Sequence, residues 1–271
     1  MISTKQNFQL SGKVAIITGA SSGIGAATAQ AFATAGAAVV AVGRDAKRLR
    51  SVSDAIEMTG AEVEVVSADL TCEADIHGLV ESSVGRFGRV DVLVHSAGIF
   101  IPAKFVDTSP EELDRHWNVN VRAPFLLTQA TLPHLRPGSS IIFVTSTVAR
   151  IGFSTTAAYS ASKAAVDGMM RVMAIELAPR GICVNGVAPG WTATPMNAGL
   201  REDPEVVAAA VAATPAGRLA TPEDIAPSIV FLASEASRFV QGVVMDVGGG
   251  YPSIPDVIRR SETPDAKASR A

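Results

Sequence analysis

Val14-Ala15-Ile16-Ile17-Thr18-Gly19-Ala20-Ser21-Ser22-Gly23-Ile24-Gly25 is the stretch on which the fold turns. Its first five residues are apolar or β-branched and run into a turn with three glycines, after which an alanine-rich stretch has helical length. A continuous apolar run of this kind suits a strand buried on both faces. Where such a strand ends in a glycine-rich turn at a helix N-terminus, backbone N–H groups converge and the helix dipole favours an anion. The absent Cβ atoms then let a pyrophosphate come close. Gly19, Ser21, Ser22, Gly23, Ile24 and Gly25 are the candidate phosphate-binding residues, with the spacing GxxxGxG rather than GxGxxG. No charge occurs from Val14 to Gly43, but Gly19, Ser21, Ser22 and Gln30 keep the region from forming the roughly 20 continuous apolar residues that cross a bilayer. Two buried strands around a buried helix are expected instead.

Outward from this unit, short β-rich apolar runs alternate with longer helical patterns. Strands are expected at Val14 to Thr18, Ala38 to Val42, Glu62 to Ser67, Val90 to His95, Ser140 to Thr145, Ile182 to Val187 and Val243 to Val247. Seven runs in this alternation predict a single α/β domain of Rossmann type, a doubly wound parallel sheet with helices on both faces. Ser109-Pro110-Glu111-Glu112 and Thr221-Pro222-Glu223-Asp224 are helix starts, with a capping hydroxyl, proline at the first helical position and an acidic first turn. The helix from Ala157 to Leu177 is apolar or small nearly all round, which predicts one side on the sheet and the other on a second subunit.

A formal charge of -3 and a pI near 5.8 give no electrostatic case for nucleic acid or for an anionic membrane surface. Cys72 and Cys183 are far apart, and Cys183 sits in an apolar run, so neither a disulfide nor a metal site is expected. Met1 to Leu10 lacks the basic-then-apolar pattern of a secretory signal, and a cytoplasmic protein is expected.

Two local patterns bear on chemistry. In Tyr159-Ser160-Ala161-Ser162-Lys163 the tyrosine and lysine stand at i and i+4 on one helix face. An ammonium beside the phenol favours its ionised form, which predicts a tyrosine tuned below its usual pKa for proton transfer. At the end of the second strand, Val42-Gly43-Arg44-Asp45 places no carboxylate where an adenosine ribose would lie. Asp45 reads as a helix N-cap and Arg44 is free to hold a phosphate, which favours NADP(H), with NAD(H) as the alternative.

With these residues in view, the chain resembles the short-chain dehydrogenase/reductase family from about Leu10 to Tyr251. Further motifs carry the likeness: Asp69-Leu70, Ala97-Gly98, Asn120 in Trp117-Asn118-Val119-Asn120, Ser146, and Pro189-Gly190-Trp191-Thr192-Ala193-Thr194. The resemblance implies a catalytic set of Asn120, Ser146, Tyr159 and Lys163. Tyr159 would be the acid in reduction and the base in oxidation, and Ser146 would hold the carbonyl oxygen. Lys163 would lower the tyrosine's pKa and bind the nicotinamide ribose, and Asn120 would hold a water leading to solvent. It also implies that Asp69 and Leu70 meet the adenine, that Ser96, Ala97 and Gly98 underlie the adenosine ribose, and that Val187, Pro189, Gly190, Thr192 and Thr194 form the nicotinamide pocket. Residues 10–251 would be the oxidoreductase domain, 1–9 an N-terminal extension and 252–271 a polar tail. Segment 190–219 would cover the substrate.

Two departures from the family's pattern stand out. His95-Ser96 replaces the usual Asn-Asn, and His95 is expected to brace backbone through its ring nitrogens. Asp246 is separated from the terminal glycines by Val247. Trp191, Met196, Leu200 and the run Val206 to Val211, with Phe100, Ile101, Pro102 and Phe153, predict an apolar substrate site. Ser146, Tyr159, Trp191, Phe153 and Met196 are the expected substrate contacts. Arg150 is expected to form a surface or interface ion pair, with a substrate carboxylate or phosphate as the alternative partner. The implied activity is NADP(H)-dependent transfer of hydride to or from a ketone or secondary alcohol, nearest to the 3-oxoacyl-thioester reductases. The alternatives are an NAD-dependent alcohol, sugar or steroid dehydrogenase, or a non-catalytic dinucleotide sensor or scaffold. A homotetramer is expected, with a dimer as the simpler form, the second interface being formed by Phe231, Leu232 and the last strand.

Overall fold

The computed structural model describes residues 7–251. The expected C-terminal tail and most of the N-terminal extension lie outside the described residues. Seven parallel strands form one sheet: β1 (Val14–Thr18), β2 (Ala38–Gly43), β3 (Val63–Ser67), β4 (Val92–His95), β5 (Ser140–Val144), β6 (Cys183–Pro189) and β7 (Val244–Val247). Their order is β3-β2-β1-β4-β5-β6-β7. The chain therefore reverses direction across the sheet between β1 and β4, and in such sheets the crevice at the carboxyl ends beside that reversal takes the ligand. Each strand lies within about two residues of its expected position. β4 starts later than expected, next to Asp91, whose carboxylate accepts the Val14 N–H at 2.9 Å.

Burial on both faces follows from the period of two. Ala15 and Ile17 of β1 join a core with Phe32, Ile225, Ile229 and Leu232, whereas Val14 and Ile16 join one with Ile76, Leu79, Leu127 and Met170. On the first face lie α1 (Gly23–Thr34), α2 (Ala46–Glu57) and α8 (Pro222–Ala233); on the second lie α3 (Glu73–Phe87), α5 (Ala123–Thr131) and α6 (Ala157–Leu177). The remaining helices are α4 (Pro110–Trp117) and α7 (Pro204–Ala213). Both expected capping boxes form, at Ser109 with Glu112 and at Thr221 with Asp224, and Asp45 caps α2 by accepting the Arg48 N–H at 3.0 Å. No helix among the described residues is long and apolar enough to cross a membrane.

Two expectations about surfaces are corrected. Leu232 is fully buried in the first core, because α8 turns it toward the sheet, and Phe231 is half-buried near Phe8. What the β7 end exposes is Phe239 and Val243. On α6 the buried face carries Ala158, Val166, Met170 and Ala174, while Ala157, Ala161, Ala164, Val172 and Ile175 face outward. Arg171 and Glu176 share that outer side, so it is less apolar than its composition suggested.

Candidate active site

A cavity of about 730 Å³ runs along the carboxyl ends of the strands. One end is built on the β1–α1 turn. Gly19 has φ 69°, and a Cβ on it would lie 2.8 Å from the backbone of Ala97; a Cβ on Gly25 would lie 2.3 Å from the Gly19 carbonyl oxygen. Three backbone segments thus meet where no side chain fits. Ser22, the residue preceding α1, makes no side-chain cap, which leaves the helix's first N–H groups available to an anion. Thr18, which the sequence reading passed over, clamps the two strand ends together. Its hydroxyl donates to the Val94 carbonyl at 3.2 Å and accepts from the N–H groups of Ser96 and Ala97, each at 3.0 Å.

Arg44, Asp69 and Leu70 line this end, and Arg48 joins them although its role was not foreseen. Arg48 also pairs with Asp45 at 3.2 Å. The Asp69 carboxylate accepts from the Thr71 N–H at 2.9 Å and the Thr71 hydroxyl at 2.8 Å, which lowers its pKa and gives it a capping task in the loop. The glycine cradle, the free helix N-terminus and the arginines suit the pyrophosphate and ribose phosphate of a dinucleotide.

At the other end of the cavity stand Ser146, Tyr159 and Lys163, with Pro189, Gly190, Thr192 and Thr194 between. Ser146 follows β5, and its hydroxyl lies near enough to the Tyr159 phenol to favour the ionised form. Lys163 is buried one turn below the tyrosine, its ammonium 5.7 Å from the phenol ring centroid and donating to the Val144 carbonyl at 2.8 Å. Here the expected pKa shift is corrected. Burial pushes the Tyr159 phenol up to about 12, and the Ser146 hydroxyl only partly opposes this. Lys163 is itself pushed down to about 8 by burial, with the charge of Asp167 opposing. Desolvation of both groups outweighs their mutual effect.

Asp167 was not singled out from the sequence, although an acid on the apolar side of a helix, four residues past Lys163, was the available signal. It is buried, and its Oδ1 has no hydrogen-bond partner. Burial raises its pKa, while Arg150, Arg171 and Lys163 act against the rise.

Of the expected catalytic residues, Asn120 is the one that does not line the cavity. It lies behind, in a π-helical turn (Asn118–Arg122) inserted between α4 and α5. Its Oδ1 accepts the Ile99 N–H at 2.9 Å, and its Nδ2 donates to the Ile99 carbonyl and the Ser162 hydroxyl, each at 3.0 Å. Both amide hydrogens are engaged, so a water relay would use the second lone pair of Oδ1 or a backbone carbonyl. His116, also unforeseen, accepts the Ile101 N–H at 3.1 Å through Nε2 and donates through Nδ1 to the Glu112 carbonyl at 2.8 Å. It stands edge-on behind Tyr159 at 6.3 Å.

His95 is structural, as expected, but by a different contact. Its Nε2 lies 2.9 Å from the Thr128 hydroxyl, whose hydrogen goes to the Pro124 carbonyl at 2.8 Å, so His95 donates. The ring stacks on Phe143, and burial lowers its pKa to about 3, leaving it neutral. Backbone is braced through Thr128 rather than directly.

The part of the cavity expected to take the substrate is walled by Phe100, Phe153, Trp191, Met196, Leu200 and Val206. Ile101 and Pro102 do not line it, since the backbone of Ile101 is turned toward His116. Of the run Val206 to Val211 only Val206 does, because the helical twist carries Ala208 and Ala209 to the surface. Val187 is fully buried in the core. Arg150 pairs with Asp246, as expected of an ion-pair arginine.

A family model described as enoyl-(acyl carrier protein) reductase matches residues 19–252. The chain is 40% identical over 244 residues to a 3-oxoacyl-[acyl-carrier-protein] reductase of Thermotoga maritima, covering 89% of this chain and 98% of that protein. Among solved structures, it is similar to a putative NAD(P)-dependent gluconate 5-dehydrogenase from Beutenbergia cavernae with bound NADP, at 40% identity and TM-score 0.85, covering 90% of this chain and 98% of the other. It is also similar to a 7α-hydroxysteroid dehydrogenase complexed with NADH and 7-oxoglycochenodeoxycholic acid, at 36% identity and TM-score 0.87, with 92% and 98% covered.

Proposed function

Because the chain belongs to the short-chain dehydrogenase/reductase family and is an oxidoreductase, we propose that it reduces a ketone with NADPH, or oxidises the matching secondary alcohol, using Tyr159 as the proton-transfer group. The observation that carries this reading is the grouping of Ser146 and Tyr159 over buried Lys163, in the same cavity as a glycine cradle too tight for a Cβ.

The dinucleotide, when bound, supplies or accepts the hydride. Gly19, Ser21, Ser22, Ile24 and Gly25 would hold its pyrophosphate, and Asp69, Ser96, Ala97 and Gly98 its adenosine. Pro189, Gly190, Thr192 and Thr194 would hold its nicotinamide. A phenol pushed up to about 12 is fully protonated at neutral pH, ready to give its hydrogen to a carbonyl oxygen. Ser146 donates to that oxygen as negative charge develops. Lys163 keeps a positive charge beneath the phenolate that results, and Asn120 holds the Ile99 backbone on the opposite wall.

Arg44, beside Arg48 and after Gly43 rather than an acid at the end of β2, with Asp45 engaged as the N-cap of α2, supports NADP(H) over NAD(H). In side-by-side measurements kcat/KM should favour NADPH by about tenfold or more, and Arg44→Asp should lower the NADPH value by roughly 10–100-fold while helping NADH relatively. A native preference for NADH would overturn the cofactor assignment.

We also infer a homotetramer in the cytoplasm. The outer face of α6, with exposed Leu113, Trp117 and Phe125 from the neighbouring helices, supplies one two-fold surface, and Phe239 with Val243 at the β7 end a second. Light scattering at micromolar concentration should give about four times the 28.0 kDa chain; a stable monomer would refute the assembly.

A further inference from the structure

The substrate half of the cavity carries aromatic rings and no side chain that can neutralise an anion. Phe100 leans on the Tyr159 ring, centroids 5.1 Å apart, and Phe153 meets Trp191 edge-to-face at 5.6 Å. Trp191 stands beside Tyr251, and both line the cavity. Phe153 belongs to a loop closed by Thr155, the one non-glycine residue with positive φ among the described residues. The Thr155 carbonyl accepts the Ala103 N–H at 3.1 Å, and the Thr156 hydroxyl donates to the Phe153 carbonyl at 2.8 Å. A backbone held in the left-handed region by fixed neighbours is a device for aiming a side chain.

Charge is distributed against an anionic substrate. Apart from buried Lys163, the charged residues lining the cavity, Arg44, Asp45, Arg48 and Asp69, lie at the phosphate end. The arginines around the substrate half are already engaged: Arg150 with Asp246, Arg201 with Asn197 and the Thr194 carbonyl, and Arg218 with Asp224. On the covering segment Glu202, Asp203 and Glu205 are exposed. A carboxylate, a thioester carrier's phosphates or an acidic carrier protein would meet acids there and no uncommitted arginine on that segment.

We propose that the preferred substrate is an uncharged cyclic ketone fused to an aromatic ring, with Phe153 and Trp191 as the residues that set this preference. The inference rests on the ketone-reductase reading above. In the reaction the ring carbonyl carbon gains the hydride and its oxygen gains the Tyr159 proton as the C=O π bond opens; the ketone becomes a secondary alcohol, and the reduced dinucleotide, as co-reactant, is oxidised. Flat π surface favours offset and edge-on contacts with these rings, which an alkyl chain cannot make.

The test is kcat/KM of the full chain for 2-tetralone, acetoacetyl-coenzyme A, 2-oxoglutarate and 2-butanone, each with NADPH and with NADH. 2-Tetralone should exceed both charged ketones by about 30-fold or more. A ranking led by acetoacetyl-coenzyme A or 2-oxoglutarate overturns this inference and leaves the reductase reading standing; no turnover of any ketone with either dinucleotide overturns both. Calorimetric titration of 2-tetralone into protein saturated with the oxidised dinucleotide gives a second readout. Phe153→Ala should weaken that binding by about tenfold, with the kinetic loss in KM and larger for 2-tetralone than for 2-butanone. Unchanged binding in Phe153→Ala removes Phe153 from the assignment.

Discussion

Tyr159→Phe is expected to lower kcat by roughly 10²–10⁴-fold, the usual contribution of a positioned general acid, while dinucleotide binding stays near the native value. Native-like turnover in that variant would remove Tyr159 from the chemistry. The native pH profile should carry the signature of the lysine below it. The phenol, pushed to about 12, stays protonated through neutral pH, so the reductive kcat should be flat there and fall as Lys163 loses its charge above about pH 8. Stability should move the other way. Between about 8 and its ordinary 10.5, Lys163 is protonated in the unfolded chain and not in the folded one. Unfolded protein then binds more protons, and the unfolding free energy rises with pH by about 3 kcal/mol in all from this group. Denaturation of native protein and Lys163→Met across that range should show the rise only in the former.

Gly25→Ala is expected to cost about 2–3 kcal/mol, lowering Tm by roughly 5–10 °C, and to abolish dinucleotide binding. Helix propensity alone favours alanine by about 1 kcal/mol. The steric term wins, because the new Cβ would fall 2.3 Å from the Gly19 oxygen and 3.1 Å from the Ala20 nitrogen, both backbone atoms that cannot rotate away. α1 would have to withdraw from the cradle while packed against α8. Gly78→Ala in α3 is the control: it is exposed, has nothing within 4 Å, and should gain stability. A Gly25→Ala protein that binds the dinucleotide normally would show that the turn does not hold the pyrophosphate.

Much of this was legible in the chain because local chemistry and tertiary role agree. The strands are short apolar runs bounded by turn residues, and the capping boxes at Ser109 and Thr221 need only three residues of context. The Tyr159–Lys163 spacing fixes their shared helix face. What escaped depends on how distant segments meet. An apolar run does not reveal which of its residues turn inward, hence Leu232 in the core and Ala208 at the surface. Whether a cation lowers a tyrosine's pKa depends on how much water both have lost. His116, Thr18 and Asp167 act through partners up to 79 positions away or through burial, which no local pattern encodes.

The order of strands has a consequence for biosynthesis. β1, β2 and β3 can pair as soon as they emerge, yet the other edge of β1 waits for β4, which is made after a further helix. Until then an uncharged Val-Ala-Ile-Ile-Thr edge lies open along the middle of the future sheet. Nothing in that segment repels a second nascent chain, and open apolar edges of this kind are templates for aggregation. The strand that leads into the proposed phosphate-binding turn is thus a segment that needs shielding while the chain is incomplete.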